Sequence, residues 1–236
     1  MMTPIELAGL IDHTLLKPEA TEVQIRRLVH QAIEHHFAAV CVNPRWIPLV
    51  RTLLDNDGGM GQAGNRPAAC GCVGFPLGAG FSHIKAAEAA ACAQAGADEV
   101  DMVAFLPAIL AENMAEAQDD MARVVGEARR VNPKIVVKVI LETAVLTEQQ
   151  IQFGCRAARQ AGADFVKTST GFHPTGGASV QAVQWLKQYA GGLRVKASGG
   201  IRDLPTAMAM LKAGADRLGC SASVEIIAAL KSTAEA

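Results

Sequence analysis

Short apolar runs alternate along this chain with longer stretches in which apolar residues recur every three or four positions. The short runs lie between glycine or polar residues and show little of the polar alternation of a half-exposed strand. Such runs predict strands that are buried on both faces, as in a parallel sheet. The eight predicted strands are residues 10–14, 38–42, 68–75, 99–103, 135–141, 165–169, 194–197 and 217–219.

The longer stretches predict helices that cover such a sheet. Thr147 begins a capping-box pattern with Gln150, and Pro205 stands where a helix start tolerates proline. Strands that alternate with helices favour right-handed crossovers and a parallel sheet. The eight predicted helices are residues 22–36, 47–54, 83–95, 114–131, 148–161, 180–189, 204–213 and 224–232.

The tetrapeptide Ala-Gly-Ala-Asp occurs three times, at residues 95–98, 161–164 and 213–216. Each copy ends a helical stretch and precedes a strand, so its glycine fits the position just past a helix. The aspartates are 66 and 52 residues apart, close to two strand–helix units of about 30 residues each. We therefore predict one α/β domain over residues 1–236, a single (β/α)₈ (TIM) barrel with an extra N-terminal segment.

An open, doubly wound sheet is the alternative fold, but no Gly-x-Gly-x-x-Gly sequence follows the first strand. Half of the 236 residues are hydrophobic and 4% are aromatic, so small aliphatic side chains build the core. A net charge of −1, without a basic stripe or a long apolar run, predicts a cytoplasmic protein that binds neither nucleic acid nor membrane. The six cysteines are interpreted as buried free thiols, and the glycine-rich residues 57–66 as a surface loop.

Three lysines stand near the carboxyl ends of predicted strands, where barrels place their catalytic groups. Lys138, Lys167 and Lys196 are spaced by 29 residues each time, so they fall on three neighbouring strands. A lysine at a strand end commonly reaches solvent, but three on adjacent apolar strands are expected to be buried and paired. Desolvation and a neighbouring cation lower the pKa of an amine, which can then attack an aldehyde to form an imine.

The repeat supplies an acid–base partner for such an amine. Asp101, Lys167 and Gly219 each lie three residues after a repeat aspartate, so we expect Asp101 at the same height in the barrel as Lys167. A carboxylate there can shuttle protons, or it can neutralise Lys138 or Lys196, and the two roles can coexist.

Glycine-rich loops after the last strands predict a phosphate site, because glycine allows close backbone approach. Gly199 and Gly200 follow the seventh strand, Ser221 follows the eighth, and Gly171 follows the sixth. The six histidines show no metal-ligand spacing, so we predict neither a metal nor a cofactor.

Sequence blocks that carry these residues resemble the 2-deoxyribose-5-phosphate aldolase family of class I aldolases. The matching blocks, in order, are DHTLLKPEAT (12–21), AVCVNPRWI (39–47), VGFPLG (73–78), EVDMV (99–103), KVILET (138–143), FVKTSTGF (165–172), VKASGGIR (195–202) and LGCSAS (218–223). The resemblance implies a (β/α)₈ barrel that cleaves the C2–C3 bond of 2-deoxyribose 5-phosphate, giving glyceraldehyde 3-phosphate and acetaldehyde.

The resemblance also implies a role for each candidate residue. Lys167 forms the imine, Asp101 and Lys196 move protons, Lys196 helps to keep Lys167 neutral, and Lys138 orients Asp101. Two further sets follow, the phosphate-binding residues Gly171, Gly199, Gly200 and Ser221, and the pocket-lining residues Asp12 and Thr14.

Two departures from the family pattern concern substrate binding. Ala104-Phe105 and Ala222 stand where many relatives have polar residues, which predicts a missing substrate contact and a missing phosphate hydroxyl. Two other functions stay open: another Schiff-base aldolase or transaldolase acting on a sugar phosphate, and a non-catalytic sugar-phosphate-binding barrel. A small phosphorylated aldehyde or sugar is the expected partner, and a homo-oligomer is possible for this family.

Overall fold

Eight parallel strands close into a barrel in which each strand pairs with the next and β8 pairs with β1. The structure is a computed structural model that describes residues 2–56 and 66–234. It confirms the predicted (β/α)₈ fold. The strands are β1 (Ile11–Leu15), β2 (Ala39–Val42), β3 (Ala68–Val73), β4 (Glu99–Val103), β5 (Val136–Ile140), β6 (Phe165–Lys167), β7 (Arg194–Ser198) and β8 (Arg217–Cys220).

Ten helices are described in those ranges, together with short 3₁₀ turns at Pro44–Trp46 and Thr143–Val145. Their inner faces pack a continuous aliphatic layer onto the barrel. The helices are α1 (Pro4–Ala8), α2 (Glu22–Glu34), α3 (Ile47–Asn56), α4 (Ser82–Gln94), α5 (Leu106–Leu110), α6 (Met114–Val131), α7 (Glu148–Gln160), α8 (Val180–Tyr189), α9 (Leu204–Lys212) and α10 (Ser223–Ala234).

Most differences from the predicted elements lie at their ends. The predicted β6 continues to residue 169, but the strand ends at Lys167. The predicted β3 continues to residue 75, but it ends at Val73 because Gly74 adopts a positive φ of 63°. The short helices α1 and α5 were not predicted, and most of the predicted loop 57–66 lies outside the described residues.

The Ala-Gly-Ala-Asp repeat marks the amino-terminal end of the barrel. All three repeat aspartates accept a hydrogen bond from a backbone N–H of the preceding strand, at Ala69, Val137 and Val195, over 2.8–2.9 Å. The same carboxylates contact the cations of Arg51, Arg129 and Lys187. Each copy therefore fastens one strand to its predecessor.

Because the strands are tilted against the barrel axis, residues in hydrogen-bonded register do not lie at one height. Two strands further on, the residue of equal height lies about two positions beyond the one in register. The observed register then defines two successive inward-facing rings. The lower ring comes from odd-numbered strands and the upper ring from even-numbered strands. The lower ring consists of Asp12, Cys70, Lys138 and Lys196, and the upper of Cys41, Asp101, Lys167 and Gly219. Asp101 and Lys167 thus share one height, as the repeat predicted.

Candidate active site

Charged side chains fill the part of the barrel where bulky aliphatic residues are usual. Four cations and three anions lie inside, and none of their side chains is more than 13% exposed. A buried charge is tolerated only when it is paired and hydrogen-bonded. The charged groups are Lys138, Lys167, Lys196 and Arg217, and Asp12, Glu99 and Asp101.

Asp101 is the centre of this cluster and contacts all three lysines. Its Oδ2 accepts hydrogen bonds from Nζ of Lys167 and Nζ of Lys196, both over 2.7 Å. Its Oδ1 accepts one from Nζ of Lys138 over 2.8 Å and one from the Cys70 thiol over 3.2 Å. One carboxylate therefore couples the three amines electrostatically.

Glu99 and Arg217 form the floor beneath the lysines, and the sequence reasoning missed both. Glu99 Oε2 lies 2.5 Å from Nζ of Lys138, and Glu99 Oε1 accepts a hydrogen bond from Arg217 over 2.9 Å. Side chains on a strand alternate between its two faces. Glu99 stands two residues before Asp101 on β4 and Arg217 two before Gly219 on β8, so this alternation could have identified them.

Asp12 lies in the lower ring with Lys138 and Lys196, above that floor, and is not among the residues that line the cavity. It is fully buried, contacts Lys196, and accepts a hydrogen bond from Arg217 over 2.8 Å. The expectation that Asp12 lines the pocket places it one ring too high. Thr14, two residues further along β1, does line the cavity.

The charge balance sets the direction of each pKa. Burial alone raises the pKa of Asp101, but the three ammonium groups outweigh burial and hold it well below its usual range. Burial lowers the pKa of every lysine, yet the nearby carboxylates outweigh it: the pKa values of Lys138 and Lys196 lie well above the ordinary value. The pKa of Lys167 is also raised, chiefly by Asp101 against burial and Lys196. Lys196 thus favours the neutral amine but does not by itself produce it.

A cavity of about 300 Å³ opens above this cluster at the carboxyl ends of the strands. Of the three strand lysines, Lys167 lines the cavity, while Lys138 and Lys196 lie below with no exposed surface. The other lining residues are Thr14, Leu15, Leu16, Lys17, Thr170, Gly171, Phe172, Ser198, Gly199, Gly200, Ile201, Arg202, Gly219 and Ser221. Of the three strand amines, a molecule in the cavity therefore meets only that of Lys167, with Asp101, Lys138 and Lys196 directly behind it.

The outer end of the cavity combines close backbone approach with positive charge. A Cβ on Gly171 would stand 3.3 Å from Cα of Gly199, and both glycines have positive φ. Lys17 and Arg202 line the same cavity and were not predicted. Exposed backbone N–H groups together with cations are the usual means of binding a phosphate. Loop cations such as these have no strand periodicity that could reveal them.

Cys41, Cys72 and Asp101 place possible metal-ligand atoms within 4.8 Å of one another. The Asp101 oxygens already accept hydrogen bonds from three amines and one thiol. A hydrogen bond with Cys70 lowers the pKa of Cys41, but the hydrogen bond with Cys72 and burial outweigh it and raise that pKa. A metal needs deprotonated, available ligands. This cluster therefore fits a hydrogen-bonded core better than a metal site.

Residues 7–226 match the family model described as DeoC/LacD family aldolase. The chain belongs to the DeoC/LacD aldolase family. A deoxyribose-phosphate aldolase of Carboxydothermus hydrogenoformans is 44% identical over 233 residues, which cover 98% of each chain. A deoxyribose-phosphate aldolase of Desulfitobacterium hafniense is 45% identical over 227 residues, covering 96% of this chain and 99% of the relative.

Solved structures related to this DeoC/LacD aldolase share its barrel. The deoxyribose phosphate aldolase of Aeropyrum pernix, described as having a unique tetrameric structure, has a TM-score of 0.88 and 34% identity. It covers 99% of this chain and 94% of its own. A putative deoxyribose-phosphate aldolase of Coccidioides immitis has a TM-score of 0.87 and 36% identity, covering 96% of this chain and 86% of its own.

The residues at the family departures are not among those that line the cavity of this DeoC/LacD aldolase. Ala104 is fully buried, and the N–H of Phe105 donates to Asp120 on α6, so neither belongs to the lining described above. Ala222 immediately precedes α10, and its carbonyl accepts the first hydrogen bond of that helix, from Ile226. Within residues 2–56 and 66–234, no helix combines the length and apolar character needed to cross a bilayer.

Proposed function

We propose that this protein is a Schiff-base aldolase that reversibly cleaves 2-deoxy-D-ribose 5-phosphate into D-glyceraldehyde 3-phosphate and acetaldehyde. The observation that carries the proposal is the position of Lys167, which faces the cavity while Asp101 holds its amine from behind at 2.7 Å. The reaction agrees with the name shared by the relatives compared above. A sugar phosphate is thus the substrate class.

The nucleophile in this proposal is the neutral amine of Lys167. The barrel interior holds four basic groups against three carboxylates, so full ionisation leaves one positive charge in excess. Loss of one proton removes that excess. Lys167 contacts one carboxylate, whereas Lys138 and Lys196 each contact two or more, and of these three amines only that of Lys167 faces the cavity. The proton therefore leaves Lys167 more readily than Lys138 or Lys196.

Attack of Lys167 on the aldehyde carbon C1 gives a carbinolamine, which loses water to form a protonated imine. The imine then withdraws the electron pair of the C2–C3 bond as a base removes the proton from the C3 hydroxyl. Glyceraldehyde 3-phosphate leaves, and protonation at C2 of the enamine followed by hydrolysis releases acetaldehyde.

Asp101 and Lys196 are the proposed proton-transfer pair, acting directly or through one water molecule. Asp101 is within hydrogen-bond distance of both amines, so a proton can pass between them without a large movement. Lys138 fixes the second carboxylate oxygen and so orients Asp101.

The phosphate is proposed to bind at the outer end of the cavity. Gly171, Gly199 and Gly200 offer backbone N–H groups there, Ser221 offers a hydroxyl, and Arg202 offers a cation. Thr14, which also lines the cavity, is proposed to contact the sugar. A homo-oligomer is part of the proposal, supported by the tetramer described for the Aeropyrum pernix relative.

Borohydride trapping in the presence of acetaldehyde tests the proposal. We expect a stable mass increase on the peptide that contains Lys167, and none in a Lys167→Met variant. Lys187→Met, which changes a surface lysine paired with Asp216, is the matched control and should be labelled like the wild type. An adduct on another lysine, or none, contradicts the proposal. Dihydroxyacetone working as donor in place of acetaldehyde would indicate a different aldolase.

A further inference from the structure

Glu142 is a buried carboxylate outside the ionic cluster, and its position is unusual. It follows β5 with a left-handed backbone, at φ 54° and ψ 56°, and its side chain is 2% exposed. Residues other than glycine rarely adopt this conformation unless the surroundings enforce it, and such residues concentrate at functional sites. In the described part of the chain, no lysine, arginine or histidine forms an ion pair with it.

Both carboxylate oxygens of Glu142 point at a single residue, Thr170. The Thr170 hydroxyl donates a hydrogen bond to Oε2 over 2.6 Å, and the Thr170 backbone N–H lies 3.3 Å from both oxygens. The Thr170 hydroxyl in turn accepts a hydrogen bond from the N–H of Phe172 over 3.1 Å. Glu142 therefore holds the three-residue loop 170–172 through one threonine.

The backbone around Glu142 is fastened to the strand that carries the proposed nucleophile. The N–H of Leu141 donates to the carbonyl of Lys167 over 3.0 Å, and the N–H of Thr143 donates to the carbonyl of Thr168 over 2.8 Å. The left-handed turn between these two bonds directs the Glu142 side chain toward the loop. One short segment thus sets the distance between Lys167 and the loop that follows it.

That loop forms one wall of the outer cavity. Gly171 stands at its centre, with its Cα packed toward Gly199 of the neighbouring loop. Phe172 lines the same wall, and its ring meets Phe75 edge-on with 5.2 Å between centroids. A shift of the loop would therefore separate the two glycine backbones at the proposed phosphate end without moving Lys167.

We propose that Glu142 is a positioning residue that sets the phosphate-binding half of the cavity through Thr170. This inference rests on the proposed function. It adds to it that Glu142, which contacts loop 170–172 through Thr170, controls the affinity for phosphate. Glu142 is not among the residues that line the cavity, so it acts through Thr170 and not by contact with the substrate. Its effect should fall on substrates with a phosphate and spare those without one.

Glu142→Gln tests this inference because the amide keeps the side-chain shape but loses the charge and one acceptor. Hydrogen bonds to charged groups are worth enough for an increase of about 10- to 100-fold in KM for 2-deoxyribose 5-phosphate. We expect kcat, and kcat/KM for unphosphorylated 2-deoxyribose, to change by less than about threefold, in keeping with an effect confined to ground-state phosphate binding. Inorganic phosphate should bind the variant more weakly by a similar factor in calorimetry, a readout that needs no turnover.

Thr170 variants show whether the effect passes through the threonine. Thr170→Val removes the hydroxyl and should weaken phosphate binding as Glu142→Gln does. Thr170→Ser keeps the hydroxyl and should retain near wild-type phosphate affinity. The double variant Glu142→Gln/Thr170→Val should bind phosphate no more weakly than the weaker-binding single variant. Both substitutions disrupt the same hydrogen bond between Glu142 and Thr170. The positioning role is wrong if Glu142→Gln lowers kcat/KM equally for the phosphorylated and unphosphorylated substrates. It is also wrong if the affinity for inorganic phosphate is unchanged. A wild-type protein that binds phosphate but shows no aldolase activity would instead refute the proposed function alone.

Discussion

Replacing Asp101 with asparagine removes the shared counter-ion of three buried amines. Lys138 keeps Glu99 and Lys196 keeps Asp12, whereas Lys167 contacts no second carboxylate among the described residues. At 2.7 Å and an effective dielectric constant of about 20, the Lys167–Asp101 attraction amounts to roughly 6 kcal/mol before desolvation. Removing one partner of such a buried pair typically costs about 3–5 kcal/mol of folding free energy. We expect a loss of that size near pH 7.

The pKa of Lys167 determines how the stability difference between wild type and Asp101→Asn changes with pH. In the wild type the pKa of Lys167 is raised, so its ion pair stabilises the fold below the pKa of an unfolded lysine and is lost as pH rises through the folded value. In Asp101→Asn, burial and Lys196 remain and lower the pKa of Lys167 below its ordinary value. The folded variant then binds fewer protons than the unfolded chain, so its stability rises with pH until the unfolded lysine is also neutral.

The assay compares unfolding, imine formation and turnover in the same variant. Urea unfolding between about pH 7 and pH 10 should show the stability gap between wild type and variant narrowing as pH rises. A neutral Lys167 should still be trapped by borohydride with acetaldehyde at neutral pH. Turnover of deoxyribose 5-phosphate should nevertheless fall by about 10²- to 10⁴-fold, the usual contribution of a positioned acid–base group.

Three results would refute this reasoning. A stability loss below about 1 kcal/mol would mean that the three amines do not depend on Asp101 for charge compensation. A stability gap that widens with pH would reverse the expected shift of Lys167. Trapping and turnover that fall in parallel would mean that Asp101 acts on the nucleophile alone and not in proton transfer.

Two further predictions concern the frame of the barrel and the phosphate end. Lys85→Met leaves the Asp120 carboxylate buried without the ammonium group that now lies 2.7 Å away. The free energy of unfolding, measured by urea titration, should therefore fall by about 3–5 kcal/mol. A fall of less than about 1 kcal/mol would contradict this expectation. Ala222→Ser adds a hydroxyl at the start of α10, which should stabilise the protein by about 0.5–2 kcal/mol as a helix cap. If that hydroxyl also reaches the phosphate, KM for phosphorylated substrate should fall while KM for unphosphorylated 2-deoxyribose stays constant, and two unchanged KM values would exclude the contact.

The strand order and the heights of Asp101 and Lys167 could be predicted because both depend on short-range regularities. Apolar runs indicate buried strands. The repeat places an aspartate at the same position before the strand that follows each copy, so residues at equal sequence distance from it lie at equal height. Asp98 and Asp164 occupy equivalent positions at the base of their strands, so three residues later the chain reaches the same ring. Period-two alternation, applied to Asp101, would have added Glu99.

The rest of the site depends on how the barrel closes. Asp12 and Thr14 both face inward from β1, but the tilt of the strands decides which of them meets the cavity and which lies beneath it. Lys17 and Arg202 come from loops whose direction no periodicity defines. Glu142 reaches its position through a left-handed turn, which sequence patterns do not indicate for a glutamate.

The charged interior also restricts how this barrel can change by substitution. Where aliphatic side chains fill a barrel, a replacement succeeds if volume and shape are kept. Here a replacement must also keep the balance of ionic partners, because removing one member leaves another charge buried and unpaired. Viable variants inside the barrel are therefore expected to come as compensating pairs, such as Glu99 and Arg217 replaced together by apolar residues of similar size. Random single-site libraries would miss these variants, and libraries that vary contacting pairs would reach them.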